Sequence, residues 1–185
     1  ALTASQQGAK VLVLERAPED KRGGNSTYTG GGFRMVHNGL ETIQKVIPDL
    51  SADLIAHTDF GVYTAEQYLD DLGRITQYHC DPDLTEILVR ESYNTVQWIH
   101  DLGIRFEPRY SDYAFKHEGR FRFFGGTVVM VNGGGRALIE GEIKAALKAG
   151  VAIRYNTQAT ALLRGRSGVE GVRVFANGVE EEIRA

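Results

Sequence analysis

The chain contains little cysteine, tryptophan or proline: of its 185 residues, one is cysteine, one is tryptophan and four are proline. The single Cys80 excludes an internal disulfide, and no Cys or His partners lie at zinc-like spacing around it. No apolar run approaches the ~20 residues that span a bilayer, and scattered Lys and Arg residues accompany a formal net charge of -3. These absences favour a soluble, cytoplasmic protein with no metal site, no nucleic-acid partner and no membrane insertion.

Recognisable hydrolytic machinery is also missing, since no Ser-His-Asp order, H-E-x-x-H motif or paired carboxylates stand out. The aromatic and basic stretch from Arg105 to Arg122 fits a ligand-facing strand pair or an ordinary exposed sheet, and we favour the exposed sheet. Four histidines are scattered singly and are interpreted as surface or core residues, namely His57, His79, His100 and His117. Catalytic residues therefore stay unassigned.

The first residues, "ALTASQQGAK", lack the basic and apolar regions of a signal peptide. They are typical of a helix that ends at Gly8. Residues 10 to 15, "KVLVLE", then predict a fully buried parallel strand. Because a helix, a glycine and a buried strand form the second half of a βαβ unit, we expect residues 1 to 185 to be a piece of a longer chain.

The rest of the sequence alternates helical and strand patterns. Thr64 to Gln67 matches a capping box, and Asn177-Gly178 is a strong type I′ hairpin signal. The predicted helices run from about 64, from Asp81 or Asp83 to Gly103, and from about Arg136 to Ala149; the predicted strands are "RFRFF", "TVVMV", "VAIRYN" and the two arms of the hairpin. This alternation favours an α/β fold, a partial doubly wound, Rossmann-like domain with an attached antiparallel β element.

Glu15 lies at the carboxyl end of the predicted strand. In doubly wound folds an acid at this place accepts hydrogen bonds from the ribose of a dinucleotide, ~20 residues after a G-x-G-x-x-G turn. That turn and its preceding strand are absent from residues 1 to 185. Glu15 is therefore either a ribose-binding residue or the exposed end of a strand.

One glycine-rich loop favours the ribose-binding alternative, and a second glycine-rich stretch leaves two interpretations open. The loop "RGGNSTYTGGG" follows Glu15 at once, and its glycines let the backbone approach a flat or anionic ligand while Asn25 and Ser26 offer polar groups. The later stretch "NGGGRALIEGEIKAALKAGVAIRYNTQATAL" combines a glycine triplet, a helix, a strand and a small-residue turn. Its glycines serve either close packing on the sheet or close approach to a ligand.

These stretches, together with "GVEGVRV", resemble successive segments of the FAD-dependent fumarate reductase and succinate dehydrogenase flavoprotein family. The nearest likeness is its tricarballylate dehydrogenase branch, which is also similar to the flavoprotein half of precorrin-3B synthases. The resemblance implies FAD as cofactor, and Asn25 occupies the place of the histidine that links to the flavin in membrane-bound relatives. Because an amide does not make that bond, we expect non-covalent FAD.

The resemblance also implies roles for eight residues. Glu15 would hold the adenosine ribose, Arg16 would lie beside the adenine, and backbone near Ala159 would pair with the adenine. The residues that would wrap the pyrophosphate and the flavin ring are Gly24, Asn25, Ser26, Gly31 and Gly32.

The implied activity is oxidation or reduction of a C–C bond beside a carboxylate, as in the oxidation of tricarballylate to aconitate. The implied partners are a small carboxylate substrate and an electron-transfer protein. We expect the family's capping domain and catalytic residues to lie outside residues 1 to 185, so this piece alone would be inactive. Two alternatives stay open: another flavoenzyme, such as a cobalamin-pathway enzyme, a fumarate reductase or a ketosteroid dehydrogenase, and a non-catalytic nucleotide-binding or structural module.

Overall fold

Helices and short strands alternate along the chain, and the computed structural model describes all of residues 1 to 185. The helices are α1 (Leu2–Gln6), α2 (Leu40–Val46), α3 (Ala52–Ala56), α4 (Ala65–Thr76), α5 (Pro82–Asp101), α6 (Tyr110–Tyr113) and α7 (Gly134–Lys148). The strands are β1 (Leu12–Leu14), β2 (Gly32–Arg34), β3 (Thr58–Asp59), β4 (Phe106–Pro108), β5 (Ala114–His117), β6 (Arg120–Phe123), β7 (Val128–Val131), β8 (Ala152–Arg154), β9 (Thr157–Arg164), β10 (Val169–Ala176) and β11 (Val179–Arg184). The chain divides into a first unit, residues 1 to 28 with 139 to 185, and a second unit, residues 29 to 138.

The first unit contains a parallel strand pair and an antiparallel three-stranded sheet. Strands β1 and β8 run parallel, with Leu12 opposite Ala152. The antiparallel sheet has the order β11-β10-β9, and Asn177 and Gly178 connect β10 to β11 with φ angles of 52° and 82°. Both angles are those that a type I′ turn requires, so the predicted hairpin is confirmed.

Two details of this unit differ from the sequence-based expectation. Strand β1 is parallel as predicted, but it is not fully buried, because Leu12 is 42% exposed and β8 is the only strand beside it. Residues 157 to 164, expected to begin as a small-residue turn, form β9 instead. Pairing with β10 explains the strand: the small side chains of "TQATALL" suit a sheet with an open face.

The second unit contains two further three-stranded sheets, in the orders β2-β7-β4 and β3-β6-β5. Helix α4 begins with the predicted capping box, in which the Thr64 hydroxyl accepts from the Gln67 N–H at 3.2 Å and the Gln67 amide oxygen accepts from the Thr64 N–H at 2.9 Å. Helix α5 begins as predicted, because the Asp81 carboxylate accepts from the Leu84 N–H at 3.0 Å. The principal core is formed by Met35, Ile43, Val46, Ile47, Phe60, Val96, Ile99, Ile104, Phe106, Val129 and Val131.

The α/β fold class is confirmed, since helices alternate with strands in parallel and antiparallel sheets. Strands β6 and β7 and helix α7 lie where the sequence predicts them. Helices α2 and α3 were not predicted. The N-cap residue of helix α2 is Gly39, which has no side chain to cap the helix. Helix α3 has only five residues. Neither helix therefore carries a strong sequence signal.

Candidate cofactor site

Glu15 lies directly after β1 and is held at the junction of β1, β8 and β9. Its N–H donates to the Arg154 carbonyl at 2.9 Å, and its carbonyl accepts from the Thr157 N–H at 2.9 Å. The carboxylate oxygen Oε1 accepts from the Ala17 N–H at 2.8 Å. The backbone therefore fixes the Glu15 carboxylate at the carboxyl end of a parallel strand. The Ala17 N–H bonds to Oε1 and not to the other carboxylate oxygen, Oε2.

Ala159 and Arg16 extend the same region of the first unit. Ala159 is exposed in β9, two residues after the Thr157 that bonds to Glu15, and it pairs with Val174 of β10. Arg16 follows Glu15 and is exposed. The fold thus brings the predicted ribose-binding and adenine-binding residues to one strand junction.

The loop after Glu15 forms a short 3-10 turn over Gly24–Tyr28, in which Gly24, Asn25 and Ser26 are all exposed. Gly24 has a φ of 53°, and a β-carbon there would meet nothing within 4 Å. Gly23 differs, because a β-carbon there would lie 2.4 Å from Thr27 Oγ1 and 2.8 Å from Ile139 Cγ2. Packing therefore explains the glycine at 23, whereas the predicted residue Gly24 faces open space.

The loop also carries a buried donor without a partner. Arg22 donates from Nη1 to the Glu19 carbonyl at 2.8 Å, but its buried Nε has no hydrogen-bond partner. An unpaired buried N–H of a cation is unfavourable, and an anionic ligand relieves that cost. Arg22 was not among the residues predicted from sequence, although it directly precedes the glycine pair.

Gly31 and Gly32 belong to the second unit and form a bare backbone surface. Gly31 is buried with a φ of 64°, and a β-carbon there would lie 3.1 Å from the carbonyl carbon of Gly134 and 3.2 Å from Val131 Cβ. The Gly31 carbonyl accepts from the Val131 N–H at 2.9 Å. Gly32 begins β2 opposite Met130 of β7. A β-carbon at Gly31 would crowd its neighbours by a few tenths of an ångström, so β2, β7 and the start of α7 meet closely through glycine.

A cavity of about 380 Å³ lies within the second unit, beside residues 29 to 32, which we call the glycine strand. The backbone of residues 29 to 32 forms part of its wall, and the side chains of Arg109, Tyr113 and Arg34 form another part. Sequence reasoning assigned Arg109 to an ordinary exposed sheet, but Arg109 lies between β4 and α6 and lines this cavity. The sequence signal for Arg109 was its place in the stretch from Arg105 to Arg122, where arginines and aromatic residues lie close together.

Each of the two units, taken by itself, has features that fit FAD. A backbone-anchored carboxylate ends β1, an unpaired buried cationic donor lies in the following loop, and bare glycine backbone borders a cavity. Six of the predicted residues lie in the first unit, namely Glu15, Arg16, Gly24, Asn25, Ser26 and Ala159, and Gly31 and Gly32 lie in the second. No group of three or more His, Cys, Asp or Glu side chains could hold a metal ion. No helix is long and apolar enough to cross a membrane.

The chain resembles curated proteins that are far longer than itself. It is 34% identical over 107 residues to a vinyl phenol reductase of Lactiplantibacillus plantarum, covering 58% of this chain and 18% of that protein. It is 25% identical over 162 residues to Ifc3, a probable fumarate reductase of Shewanella frigidimarina, covering 88% of this chain and 24% of that protein. The chain therefore spans less than a quarter of either relative.

Solved structures show the same fold. A flavocytochrome c3 fumarate reductase in an open conformation matches 94% of this chain and 27% of its own, with a TM-score of 0.62 and 26% identity. A 3-ketosteroid-Δ4-(5α)-dehydrogenase of Rhodococcus jostii RHA1 matches 100% of this chain and 40% of its own, with a TM-score of 0.71 and 21% identity. Residues 1 to 185 match the FAD binding domain family along their whole length. The chain belongs to this family, its relatives include fumarate reductase flavoproteins, and its cofactor is FAD.

Proposed function

We propose that this chain is the FAD-binding part of an oxidoreductase that acts on the CH–CH bond of a di- or tricarboxylate such as tricarballylate. The observation that carries the proposal is the glycine backbone beside the cavity, where Gly30 and Gly32 are exposed and carry no side chain that would keep a flat ring away. The relatives named for vinyl phenol and fumarate support it, because both compounds contain a carbon–carbon double bond.

Each predicted residue has a binding role in this proposal. The Glu15 carboxylate accepts from the ribose hydroxyls, and Arg16 and Ala159 border the adenine. The exposed turn of Gly24, Asn25 and Ser26, with the unpaired Arg22 Nε before it, faces the pyrophosphate. These groups bind and orient the cofactor, and bound FAD supplies the hydride chemistry. Oxidation of the CH–CH bond would also require a base for the substrate proton, and we assign none of residues 1 to 185 to that role.

The activity is tested with the full-length protein, purified with its flavin under anaerobic conditions. We expect tricarballylate to bleach the oxidised flavin, or aconitate or fumarate to reoxidise the reduced flavin, as followed by absorbance. A flavin-loaded protein that responds to none of these acids would reject the proposed reaction. A colourless protein that stays unresponsive to added FAD would instead favour the non-catalytic module.

Acid precipitation of the full-length protein should leave its flavin in the supernatant. The physical reason is the exposed Asn25 side chain, whose amide lacks the nucleophilic ring nitrogen that a covalent flavin link requires. Flavin absorbance is measured in pellet and supernatant after centrifugation. Yellow colour that stays in a washed pellet would contradict the prediction.

Glu15→Gln in the full-length protein should weaken FAD binding by about 10- to 100-fold, the range that loss of a charge-assisted hydrogen bond gives at ~1.5–3 kcal/mol. The glutamine oxygen still accepts from the Ala17 N–H, so the local turn remains. Glu180→Gln, on the exposed strand β11, is the matched control and should bind FAD like the wild type. The measurement is fluorescence of free FAD in a titration of apoprotein. Equal affinities for the two variants would contradict the ribose-binding role.

A further inference from the structure

The cavity beside the glycine strand has a positive lining. Two arginines, Arg34 and Arg109, contribute to its wall, and no Asp, Glu, His or Lys does. Its volume of about 380 Å³ is at the small end of the ~300–1,000 Å³ typical of ligand sites. A small anion suits this combination of size and charge.

Arg34 is held in an internal network through its Nη1 nitrogen and the face of its guanidinium. It donates to the Gly125 carbonyl, its Nη1 lies 3.7 Å from the Asp71 carboxylate, and its guanidinium lies over the Tyr63 ring at 5.3 Å. Tyr63 donates to Asp71 at 2.7 Å, and burial raises the Tyr63 pKa to about 12, so this phenol keeps its proton. Arg34 therefore belongs to an internal network that joins Gly125, Asp71 and Tyr63.

Arg109 is fixed in place but keeps a free edge. Its Nε and Nη2 donate to one carboxylate oxygen of Asp112 at 3.3 and 2.6 Å, and its guanidinium lies over the Tyr113 ring at 5.4 Å. Neither hydrogen bond uses Nη1. This nitrogen would lie 2.8 Å from a β-carbon built on Gly30 and 3.5 Å from one built on Gly32. The glycine strand thus leaves room for the guanidinium, where side chains would crowd it.

We propose that Arg109 binds a carboxylate group of the substrate in this cavity. The proposal rests on the proposed function, because it assigns the anion to the di- or tricarboxylate that the flavin would oxidise or reduce. A guanidinium that is held by Asp112 and Tyr113 loses little conformational freedom when it binds, and its planar edge matches a carboxylate. Arg109 is then a substrate-binding residue supplied by the FAD-binding part of the protein.

The test uses the full-length flavin-loaded protein as wild type, R109Q, R109K and R105Q. Arg105 is the matched control, because it also forms an ion pair with an aspartate, Asp49, but does not line this cavity. Tricarballylate and its uncharged trimethyl ester are mixed rapidly with the oxidised protein at increasing concentrations, and Kd is read from the shift of the visible flavin spectrum that precedes bleaching. Flavin content and Tm are measured for every variant. The Arg109–Asp112 pair contributes little to stability, because Asp112 is largely exposed, so R109Q should fold.

We expect R109Q to raise the Kd of tricarballylate at least about tenfold, as loss of a charged hydrogen bond predicts, and to leave the Kd of the ester and the flavin content unchanged. R109K keeps the charge without the planar edge and should recover part of the affinity. R105Q should match the wild type.

Each failure has its own signature. An unchanged Kd in flavin-loaded R109Q, with turnover intact in the wild type, would overturn the role of Arg109 and keep the proposed reaction. Loss of flavin from R109Q would assign Arg109 to the cofactor and also overturn it. Binding of tricarballylate that R109Q abolishes, without any turnover in the wild type, would keep the role of Arg109 and reject the reaction. Absence of both binding and turnover in the wild type would reject both.

Discussion

Gly31→Ala should destabilise the protein by about 3 kcal/mol, whereas Gly61→Ala should cost only about 1 kcal/mol. Both glycines have left-handed backbone, with φ of 64° and 60°, so both variants carry the ~1–2 kcal/mol strain of an L-residue there. The two variants differ in the space around the new β-carbon. A β-carbon at Gly31 would lie 3.1 Å from backbone of Gly134, and one at Gly61 would meet nothing within 4 Å. Overpacking at buried Gly31 adds ~1–3 kcal/mol.

The neighbours of Gly31 have little freedom to move. The Val131 N–H donates to the Gly31 carbonyl, and the Gly135 N–H donates to the Thr29 carbonyl, both at 2.9 Å. These bonds lock the glycine strand against β7 and the start of α7. Relief of the contact would therefore shift the backbone that we assign to the flavin, so Gly31→Ala should also weaken FAD binding.

Urea unfolding of the apoprotein gives the two free energies, and an FAD titration gives the two affinities. Equal destabilisation by Gly31→Ala and Gly61→Ala would show that the Gly134 contact relaxes freely. Normal FAD affinity in a destabilised Gly31→Ala protein would separate packing from cofactor binding at this strand.

The parts of the fold that sequence predicted are those with local chemical signals. The Thr64 and Gln67 capping box, the Asp81 cap and the Asn177-Gly178 turn each depend on residues next to one another in the chain, and all three form as predicted. The exposure of Leu12 is different, because it depends on how many strands flank β1, and neighbouring residues do not encode that number.

The residues of the candidate site also divide into those with a local sequence signal and those whose role depends on the fold. Glu15 and the glycine loop are adjacent in the chain, so the sequence alone indicates a nucleotide site there. Arg109 was missed because its importance arises from Gly30 and Gly32, which lie about 80 residues earlier in the chain and meet it only in the fold. A single arginine among aromatics is ambiguous until the backbone opposite it is known.

His37 also acquires its properties only in the fold. It is 1% exposed, and both ring nitrogens face backbone donors: the Gly39 N–H lies 3.3 Å from Nδ1, and the Thr127 N–H lies 3.1 Å from Nε2. A neutral ring accepts from one of these donors through its unprotonated nitrogen, whereas a protonated ring carries a hydrogen on both nitrogens and accepts from neither. Burial lowers the His37 pKa from 6.5 to about 4, because desolvation disfavours the charged ring.

Stability should therefore fall as the pH drops below about 6.5. The unfolded chain binds a proton at His37 near pH 6.5, and the folded chain binds it only near pH 4, so protonation favours the unfolded state between these values. Stability is complete above pH 6.5, decreases from pH 6.5 to 4, and changes no further through this group below pH 4. The loss is on the order of 3 kcal/mol.

The measurement is urea unfolding at pH values from 4 to 8 for the wild type, H37Q and H79Q. H37Q should be less stable at pH 8, because it loses ring packing beside Tyr63, but its stability should vary less between pH 6.5 and 4. H79Q removes an exposed histidine and should keep the wild-type pH dependence. If H37Q fails to fold, an NMR titration of the wild-type His37 ring gives the same answer, because a ring that protonates above pH 6 in the folded protein would contradict the assignment.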